Sequence, residues 1–340
     1  MYHFRNDYSQ GAHPRVLDAL VRTNLESTAG YGEDEYCKAA ASMVKTRFQC
    51  PEAEVHFLVG GTQTNFAAIT AFLRPWEAAV AVDTGHIAVH ETGAVEARGH
   101  KVVTVPHADG KMTPQALRNV YEEHTAYNWN HLVLPKLLYI SDSTELGTIY
   151  TKAELEKLSK TCHDLNMYLY LDGARLASAL TAPGNDILPE DLPKYCDAFT
   201  IGGTKNGLLF GECLVITNPA LMENFRFCMK QCGAMLAKGR LLGVQFCVLL
   251  EDDLWLELGR HANRLALRLT QGLAEKGYPF YAQSPTNQLF PILPKEKIQE
   301  LKRSFTFEQI APVDETHDAV RFVTAWGSTD EAVNALLDAL

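Results

Sequence analysis

The chain has 340 residues, 46% of them hydrophobic and 21% charged, which is typical of a globular enzyme rather than a disordered or fibrous protein. The formal net charge of −10 argues against a broad surface for nucleic acid or anionic membrane, because such surfaces need clustered Lys and Arg, but it leaves room for a small anion in a local basic pocket. No apolar run approaches the roughly 18 residues that cross a bilayer, and the first residues lack the apolar core of a secretory signal.

Eight cysteines are scattered along the chain without any C-x-x-C pair. Cys228 and Cys232 share a predicted helix face, but no cluster of His or Cys lies near enough in sequence to complete a metal shell. We therefore expect free thiols, no metal site and a cytoplasmic location.

Short apolar segments alternate with segments of helical period over the first 220 residues. The apolar segments are predicted to be strands buried on both faces, and they span residues 55–59, 79–82, 102–105, 137–140, 167–171 and 213–216. Between two of them, Thr151 and Glu154 have the spacing of a helix capping box. This alternation predicts an α/β protein with a mostly parallel or mixed sheet, helices on both faces and a ligand site at the carboxyl ends of the strands.

The pattern changes after about residue 243. A long helix is predicted over about 243–276, with the acidic run 251–253 on its solvated face, and further short strands and helices follow. The length also favours two domains. We expect a large domain over 1–243, with an N-terminal arm over 1–14, and a small α+β domain over 244–340.

Four motifs carry candidate chemistry. Gly60, Gly61 and Thr62 join a strand to a helix, and they form either a phosphate cradle or only a tight turn. Asp172 ends a buried strand, where a carboxylate needs a cationic partner unless it caps a helix.

Lys205 lies in a glycine-rich turn, either as a partly buried amine suited to a Schiff base or as a surface residue. His86 follows a strand, where it could stack on a ligand ring or move a proton, or have only a structural role. All of these groups follow predicted strands and therefore meet at one sheet edge. A phosphate site, a carboxylate for a pyridine nitrogen and an amine for an aldehyde are what pyridoxal phosphate (PLP) requires.

The chain resembles the fold-type I PLP enzymes, and more closely the family of L-threonine aldolases and β-eliminating lyases. The resemblance covers nearly the whole chain and lies in the segments 30–36, 59–69, 86–94, 109–117, 171–180, 202–207, 284–293 and 320–326. It implies a large PLP-binding domain with a seven-stranded sheet between helices, and a homodimer or homotetramer with sites at subunit interfaces.

The resemblance also assigns roles to residues. It implies that Lys205 binds the cofactor aldehyde, Asp172 pairs with the pyridine nitrogen and His86 stacks on the ring. The phosphate would be held by Gly60, Gly61, Thr62 and Gln63, and the substrate carboxylate by Arg175 and Arg321. Tyr31, with Lys238 or Arg240, would reach the cofactor of a neighbouring subunit.

The chain departs from the family pattern at three places. Asn6 replaces a serine near the substrate, residues 141–144 replace a Glu-Asn-Thr segment, and Ala237, beside Lys238, replaces an arginine.

The activity that the resemblance implies is cleavage of the Cα–Cβ bond of a β-hydroxy amino acid, as in a low-specificity L-threonine or L-allo-threonine aldolase that yields glycine and acetaldehyde. His86, or a water that it orients, is the candidate base for the β-hydroxyl proton. The alternatives are a PLP-dependent β-eliminating lyase, which would release ammonia and a keto acid, and a PLP-binding protein without turnover.

Overall fold

The computed structural model describes residues 1–127 and 129–340. Its strands are Tyr2–His3 (β1), Glu54–Leu58 (β2), Glu77–Val82 (β3), Val102–Val105 (β4), Leu134–Ser141 (β5), Tyr168–Asp172 (β6), Ala198–Gly202 (β7), Glu212–Ile216 (β8), Phe280–Ala282 (β9), Gln288–Pro294 (β10), Phe305–Thr306 (β11), Glu308–Pro312 (β12) and His317–Val323 (β13).

The α-helices are Pro14–Thr23 (α1), Glu35–Arg47 (α2), Gly61–Phe72 (α3), His86–Val89 (α4), Pro114–Thr125 (α5), Lys152–Asp164 (α6), Leu176–Leu180 (α7), Leu192–Tyr195 (α8), Phe225–Gln231 (α9), Arg240–Leu250 (α10), Leu254–Glu275 (α11), Lys295–Leu301 (α12) and Asp330–Ala339 (α13). Among the helices of these described residues, none is both long and apolar enough to span a bilayer.

A seven-stranded sheet in the order β2-β8-β7-β6-β5-β3-β4 forms the centre of the molecule. β8 runs antiparallel to both of its neighbours, and the pairs from β7 to β4 are parallel. The predicted α/β class and mostly parallel seven-stranded sheet are thus confirmed. The carboxyl ends of β2, β3, β5, β6 and β7 lie at one edge, where a doubly covered sheet places its ligand site.

Both faces of this sheet are covered, which explains why its strands are mostly apolar. One face packs against a core that includes Phe48, which follows α2, and Phe246 of α10. The other face packs against α3 and α9 through residues such as Ile69 and Phe225. The capping box predicted at the start of α6 is present, with Thr151 and Glu154 each satisfying the other's backbone N–H.

A second, antiparallel sheet in the order β12-β13-β10-β9 packs against α11 and α13. It has a core of its own, to which the N-terminal segment contributes Phe4. β1 pairs in parallel with β11, which ties the N-terminal arm to this C-terminal region.

The single helix predicted over 243–276 is wrong. The structure has two helices, α10 and α11, separated by a break at Glu251–Asp253, because Asp252 and Asp253 adopt positive φ angles of 51° and 61°. The acidic run therefore forms a turn rather than a helix face, and its carboxylates pair with Arg15 and Arg47.

The predicted boundary at residue 243 falls inside α10, which packs against α1 and α2 of the large sheet's helical layer. The separate core of the C-terminal region agrees with a second domain. The division into 1–243 and 244–340 stays a prediction.

Candidate active site

The N-terminus of α3 offers a place for an anion. β2 leads into this helix through Gly60 and Gly61, and Gly60 supplies no side-chain cap to the first N–H groups. A Cβ added at either glycine would meet no atom within 4 Å, so open space adjoins the backbone here. Gln63 Oε1 is buried without a hydrogen-bond partner among the described residues, and Thr62 adds a hydroxyl. Free helix N–H groups beside open space suit a phosphate.

Asp172 ends β6 and is buried in a set of donors. Its Oδ2 accepts hydrogen bonds from the Tyr139 hydroxyl at 2.6 Å and from Asn65 Nδ2 at 2.9 Å. Burial by itself would raise the pKa of Asp172, but the charge of nearby His86 and these hydrogen bonds hold it below its usual value. The helix-cap alternative does not hold, because the residue that caps α7 is Arg175.

His86 begins α4 and lies against a buried glutamate. Its Nδ1 is 2.8 Å from Oε1 of Glu91, whose side chain is fully buried, and Asn65 Nδ2 donates to the same oxygen at 2.8 Å. Burial lowers the pKa of His86, but the hydrogen bond to Glu91 and the charges of Glu145 and Asp172 outweigh this, so the net pKa is raised. A chain of hydrogen bonds thus joins His86 to Asp172.

Lys205 follows β7 in a turn and is half-buried, which excludes the surface-loop alternative. It lines a small cavity together with Asp7 and Asn287. Its charge also lowers the pKa of Asp172. Glu212 is the first residue of β8. The charge of Lys205 lowers its pKa, but burial is the larger effect and raises the pKa of Glu212 to about 8.

Arg175 makes a buried, two-point ion pair with the N-terminal arm. Its Nε and Nη2 donate to the carboxylate of Asp7 at 2.7 and 3.1 Å, and the two side chains are only 8% and 2% exposed. Asn287 Nδ2 donates to the same carboxylate at 2.9 Å. Burial would raise the pKa of Asp7, but Arg175 and Lys205 outweigh it and the pKa is lowered.

Arg321 on β13 enters from the C-terminal sheet. It donates through Nη2 to Glu308 and through Nη1 to Gln288 Oε1 at 3.3 Å, while its buried Nε has no partner among the described residues. Its charge lowers the pKa of His90, although burial of that ring is the larger cause. Because the His90 and His86 ring centres are 5.5 Å apart, Arg321 approaches the same site.

The remaining predicted residues are Asn6, Tyr31 and Lys238, which lie outside helices and strands, and Arg240, which begins α10. Asn6 Oδ1 accepts hydrogen bonds from Tyr8 N and Ser9 Oγ, which closes a turn of the arm. Tyr31 N donates to Ala237 O at 3.3 Å, which brings Tyr31 beside the turn that carries Lys238.

Tyr31 and Lys238 are both exposed at this corner. Arg240 instead points into its own chain, where Nη2 donates to Thr23 O at 2.6 Å and the guanidinium lies 5.5 Å from the ring centre of Tyr36. The cross-subunit roles of Tyr31, Lys238 and Arg240 stay predictions.

Sequence reasoning missed the groups that support the predicted ones. They are Asp7, Asn65, Glu91, Tyr139, Glu145 and Glu212. Glu91 follows His86 by five residues and could have been noticed as a nearby carboxylate. The other five gave no local signal, since their importance depends on contacts between distant segments.

Metal-ligating side chains do not cluster at this edge or elsewhere: no group of three or more His, Cys, Asp or Glu that could hold a metal occurs in the part of the chain that the structure describes. All eight cysteines are free thiols.

Comparison with known proteins places this geometry in a family. The model of the beta-eliminating lyase family matches residues 3–295. A low-specificity L-threonine aldolase of Pseudomonas aeruginosa is 29% identical, over 98% of this chain and 95% of its own. A solved threonine aldolase structure of Leishmania major is 46% identical, with a TM-score of 0.97 over 99% of this chain and 98% of its own.

An aspartate aminotransferase variant of Thermus thermophilus, 15% identical with a TM-score of 0.73 over all of this chain and 90% of its own, shares the fold. The chain therefore belongs to the beta-eliminating lyase family, in the group of the threonine aldolases.

Proposed function

We propose that the chain is a PLP-dependent lyase that cleaves the Cα–Cβ bond of β-hydroxy amino acids, converting L-threonine or L-allo-threonine to glycine and acetaldehyde. The observation that carries the proposal is the buried Asp172, held ionised by its donors, with Lys205 close to it at the sheet edge. It occurs in a chain of the threonine aldolase group.

The residues at this edge fit PLP. The uncapped N-terminus of α3, with open space beside Gly60 and Gly61, suits its phosphate, to which the side-chain N–H groups of Gln63 would donate. When bound, PLP would supply an aldehyde for amino groups and a protonated ring that accepts an electron pair from the substrate. Lys205 would bind the aldehyde through Nζ. The ionised Asp172 would keep the proton on the ring nitrogen, and His86 would pack on the ring face.

Arg175 and Arg321 would hold the α-carboxylate of the substrate. Arg175 uses Nε and Nη2 for Asp7 and Arg321 uses Nη2 for Glu308, so each guanidinium keeps further N–H groups for a second carboxylate. Two-point contacts fix the orientation of a carboxylate as well as its position. They would hold the Cα–Cβ bond perpendicular to the ring, as cleavage requires. Asn6 is proposed to adjoin the substrate through the same arm.

His86, or a water that it orients, would take the proton of the β-hydroxyl. Because Nδ1 faces the Glu91 carboxylate, Nε2 is the nitrogen left for this task. The raised pKa of His86 means that this base is available only above that pKa, so cleavage should increase with pH until the imidazole is neutral.

We also propose a cytoplasmic homodimer or homotetramer. The exposed corner of Tyr31 and Lys238 supports this proposal, since it offers an aromatic ring and a cation to a neighbouring subunit. Gel filtration with light scattering tests it, and a monomer at micromolar concentration would contradict it.

The experiment that tests the function uses the purified protein loaded with PLP. The wild type is expected to show the visible absorbance of lysine-bound cofactor, and Lys205→Ala is expected to lose it. The loaded enzyme is then given threonine, allo-threonine, phenylserine, serine and cysteine in parallel. Glycine with an aldehyde supports aldol cleavage, whereas ammonia with a keto acid would establish β-elimination instead. Lack of both cofactor absorbance and turnover would overturn the proposal.

A further inference from the structure

We infer that Asn65 and Glu91 are positioning residues: they fix the ring of His86 and join it to Asp172, so that the two groups form one hydrogen-bonded unit. The inference rests on the proposed function, which gives His86 and Asp172 their roles. It goes beyond that function because it assigns a task to two residues that contact neither substrate nor cofactor in the scheme above.

Asn65 is a joint between two carboxylates. It is 1% exposed on α3, and its Nδ2 donates both to Asp172 Oδ2 at 2.9 Å and to Glu91 Oε1 at 2.8 Å. Its Oδ1 accepts from the Tyr170 hydroxyl at 2.9 Å. Both N–H groups and the carbonyl of the amide are therefore used, and the opposite orientation of the amide would point its oxygen at two carboxylates.

Glu91 determines which nitrogen of His86 is available. Its Oε1 lies 2.8 Å from His86 Nδ1, and a carboxylate accepts hydrogen bonds without donating them. The proton of the neutral imidazole must therefore lie on Nδ1, which leaves Nε2 as the acceptor. The same contact fixes the plane of the ring, as a carboxylate does for a catalytic or metal-binding histidine.

Several charged groups face His86 from different elements. Glu91 and His90 come from its own segment, Glu145 follows β5, Asp172 ends β6 and Lys205 follows β7. Among the described residues, Glu91 is the one that hydrogen-bonds to the ring, so it contributes the largest of the effects that raise the pKa of His86 against burial.

Two substitutions of Glu91 separate charge from geometry. In Glu91→Gln the amide oxygen can still accept from both His86 and Asn65, so the ring keeps its position but loses a neighbouring negative charge. In Glu91→Leu both hydrogen bonds are lost at similar volume. Asn65→Leu removes the hydrogen bonds that link Glu91 to Asp172 and leaves the His86–Glu91 contact intact. Glu77→Gln is the matched control, because Glu77 is also buried but lies at the amino end of β3, away from the site.

The test measures His86 itself in the cofactor-free protein. Diethyl pyrocarbonate modifies neutral imidazole, and the side chain of His86 is 27% exposed, so peptide mass spectrometry can follow its modification rate against pH. In Glu91→Gln the midpoint is expected about 1 unit or more below that of the wild type, because a contacting charge has been removed. Glu77→Gln should leave the midpoint unchanged. An equal midpoint in Glu91→Gln and wild type would overturn the inference.

The second readout is the dissociation constant of PLP, measured by its absorbance. We expect Glu91→Gln to bind PLP within about threefold of the wild type, whereas Glu91→Leu and Asn65→Leu should bind about tenfold more weakly or worse, because each loses buried hydrogen bonds that hold His86 or Asp172 in place. Equal weakening in Glu91→Gln and Glu91→Leu would show that the charge alone matters and would contradict the positioning role. Neither readout needs turnover, so an enzyme that lacks aldolase activity but passes both tests would overturn the proposed function and leave this inference standing.

Discussion

Two halves of the candidate site are built in different ways. The cofactor half, consisting of Asn65, His86, Glu91, Tyr139 and Asp172, comes from α3 and the edge of the large sheet. Glu91 pairs with His86, but Asp172 accepts its side-chain hydrogen bonds from neutral amide and hydroxyl donors, so its negative charge stays available to a cationic ring. The substrate half, consisting of Asp7, Arg175, Asn287, Glu308 and Arg321, joins the N-terminal arm, α7 and the C-terminal sheet.

In the substrate half each arginine is already paired with a carboxylate. An incoming substrate must therefore compete with Asp7 or Glu308, or use the N–H groups that they leave free. The comparison teaches that the cofactor half keeps the charge of Asp172 free of a directly bonded cation, whereas the substrate half holds its two arginines in place with carboxylates of its own.

The largest expected effect is in the cofactor half. Asp172→Ala removes the carboxylate at the proposed ring nitrogen, and turnover of threonine by the PLP-loaded enzyme should fall by about 10²-fold or more, as for other preorganised electrostatic groups. Steady-state kinetics at saturating PLP measures this. Tyr139→Phe, which removes only one donor to the same oxygen, should cost much less. Near-normal turnover in Asp172→Ala would mean that the cofactor half does not act through the negative charge of Asp172.

The second prediction sharpens the contrast within the substrate half. Asp7→Ala leaves Arg175 buried without its partner and should lower the free energy of unfolding by about 3–5 kcal/mol. Glu308→Ala breaks a pair whose glutamate is 33% exposed, so its cost should stay within about 1 kcal/mol. Urea unfolding of the two variants measures the difference. Equal losses would show that the two ion pairs do not differ in the way their burial indicates.

The third prediction concerns substrate competition at Arg321. Arg321→Leu should raise KM for threonine about tenfold or more, because a hydrogen bond to a charged group is worth about 1.5–3 kcal/mol. Glu308→Gln frees the same guanidinium and should lower KM or leave it unchanged. Measuring kcat and KM separately for both variants tests this, and a higher KM in Glu308→Gln would show that Glu308 assists binding rather than competing with it.

A fourth and smaller effect depends on pH. Burial raises the pKa of Glu212 to about 8, so between its ordinary pKa and pH 8 the folded chain holds a proton that the unfolded chain has released. This group therefore stabilises the fold least at high pH, and the free energy of unfolding should decline from pH 5 to pH 8. Glu212→Gln should reduce that decline in urea titrations at the two pH values. Asp142, whose pKa burial also raises to about 8, supplies a residual decline in the variant.

The smallest prediction lies outside both halves. Thr151→Ala removes the N-cap of α6 and should cost about 1 kcal/mol of stability while leaving kcat and KM unchanged. Chemical unfolding and steady-state kinetics on one preparation check both statements. A changed KM would show that a change at the start of α6 alters the substrate site.

Residues whose place depends on local patterns could be predicted from the sequence, whereas contacts between distant segments could not. His86 and Lys205 follow strands and Asp172 ends one, so the common direction of these strands is enough to bring the three residues to one edge. The Thr151 capping box is a local pattern and could be predicted for that reason. The contact of Asp7 with Arg175 spans 168 residues and that with Asn287 spans 280, and no local signal reports such pairings.

The helix break was missed for a similar reason. Asp252 and Asp253 adopt left-handed conformations, although the segment has no glycine or proline at this point that would predict a helix break. Their carboxylates pair with Arg15 and Arg47 on other helices as well as with Arg260 of α11, so part of the support for the break comes from outside the segment that contains it.

The pairing of β1 with β11 has a consequence for how the chain matures as it is synthesised. The segment that carries Asp7 is synthesised about 300 residues before its strand partner, since His3 and Thr306 are 303 positions apart. Before the C-terminal sheet has been added, Arg175 can already lie at the edge of the large sheet, but the arm that carries its anion has no strand partner. The arm is thus expected to take its final place late, and until then the guanidinium of Arg175 lacks the fixed carboxylate of Asp7.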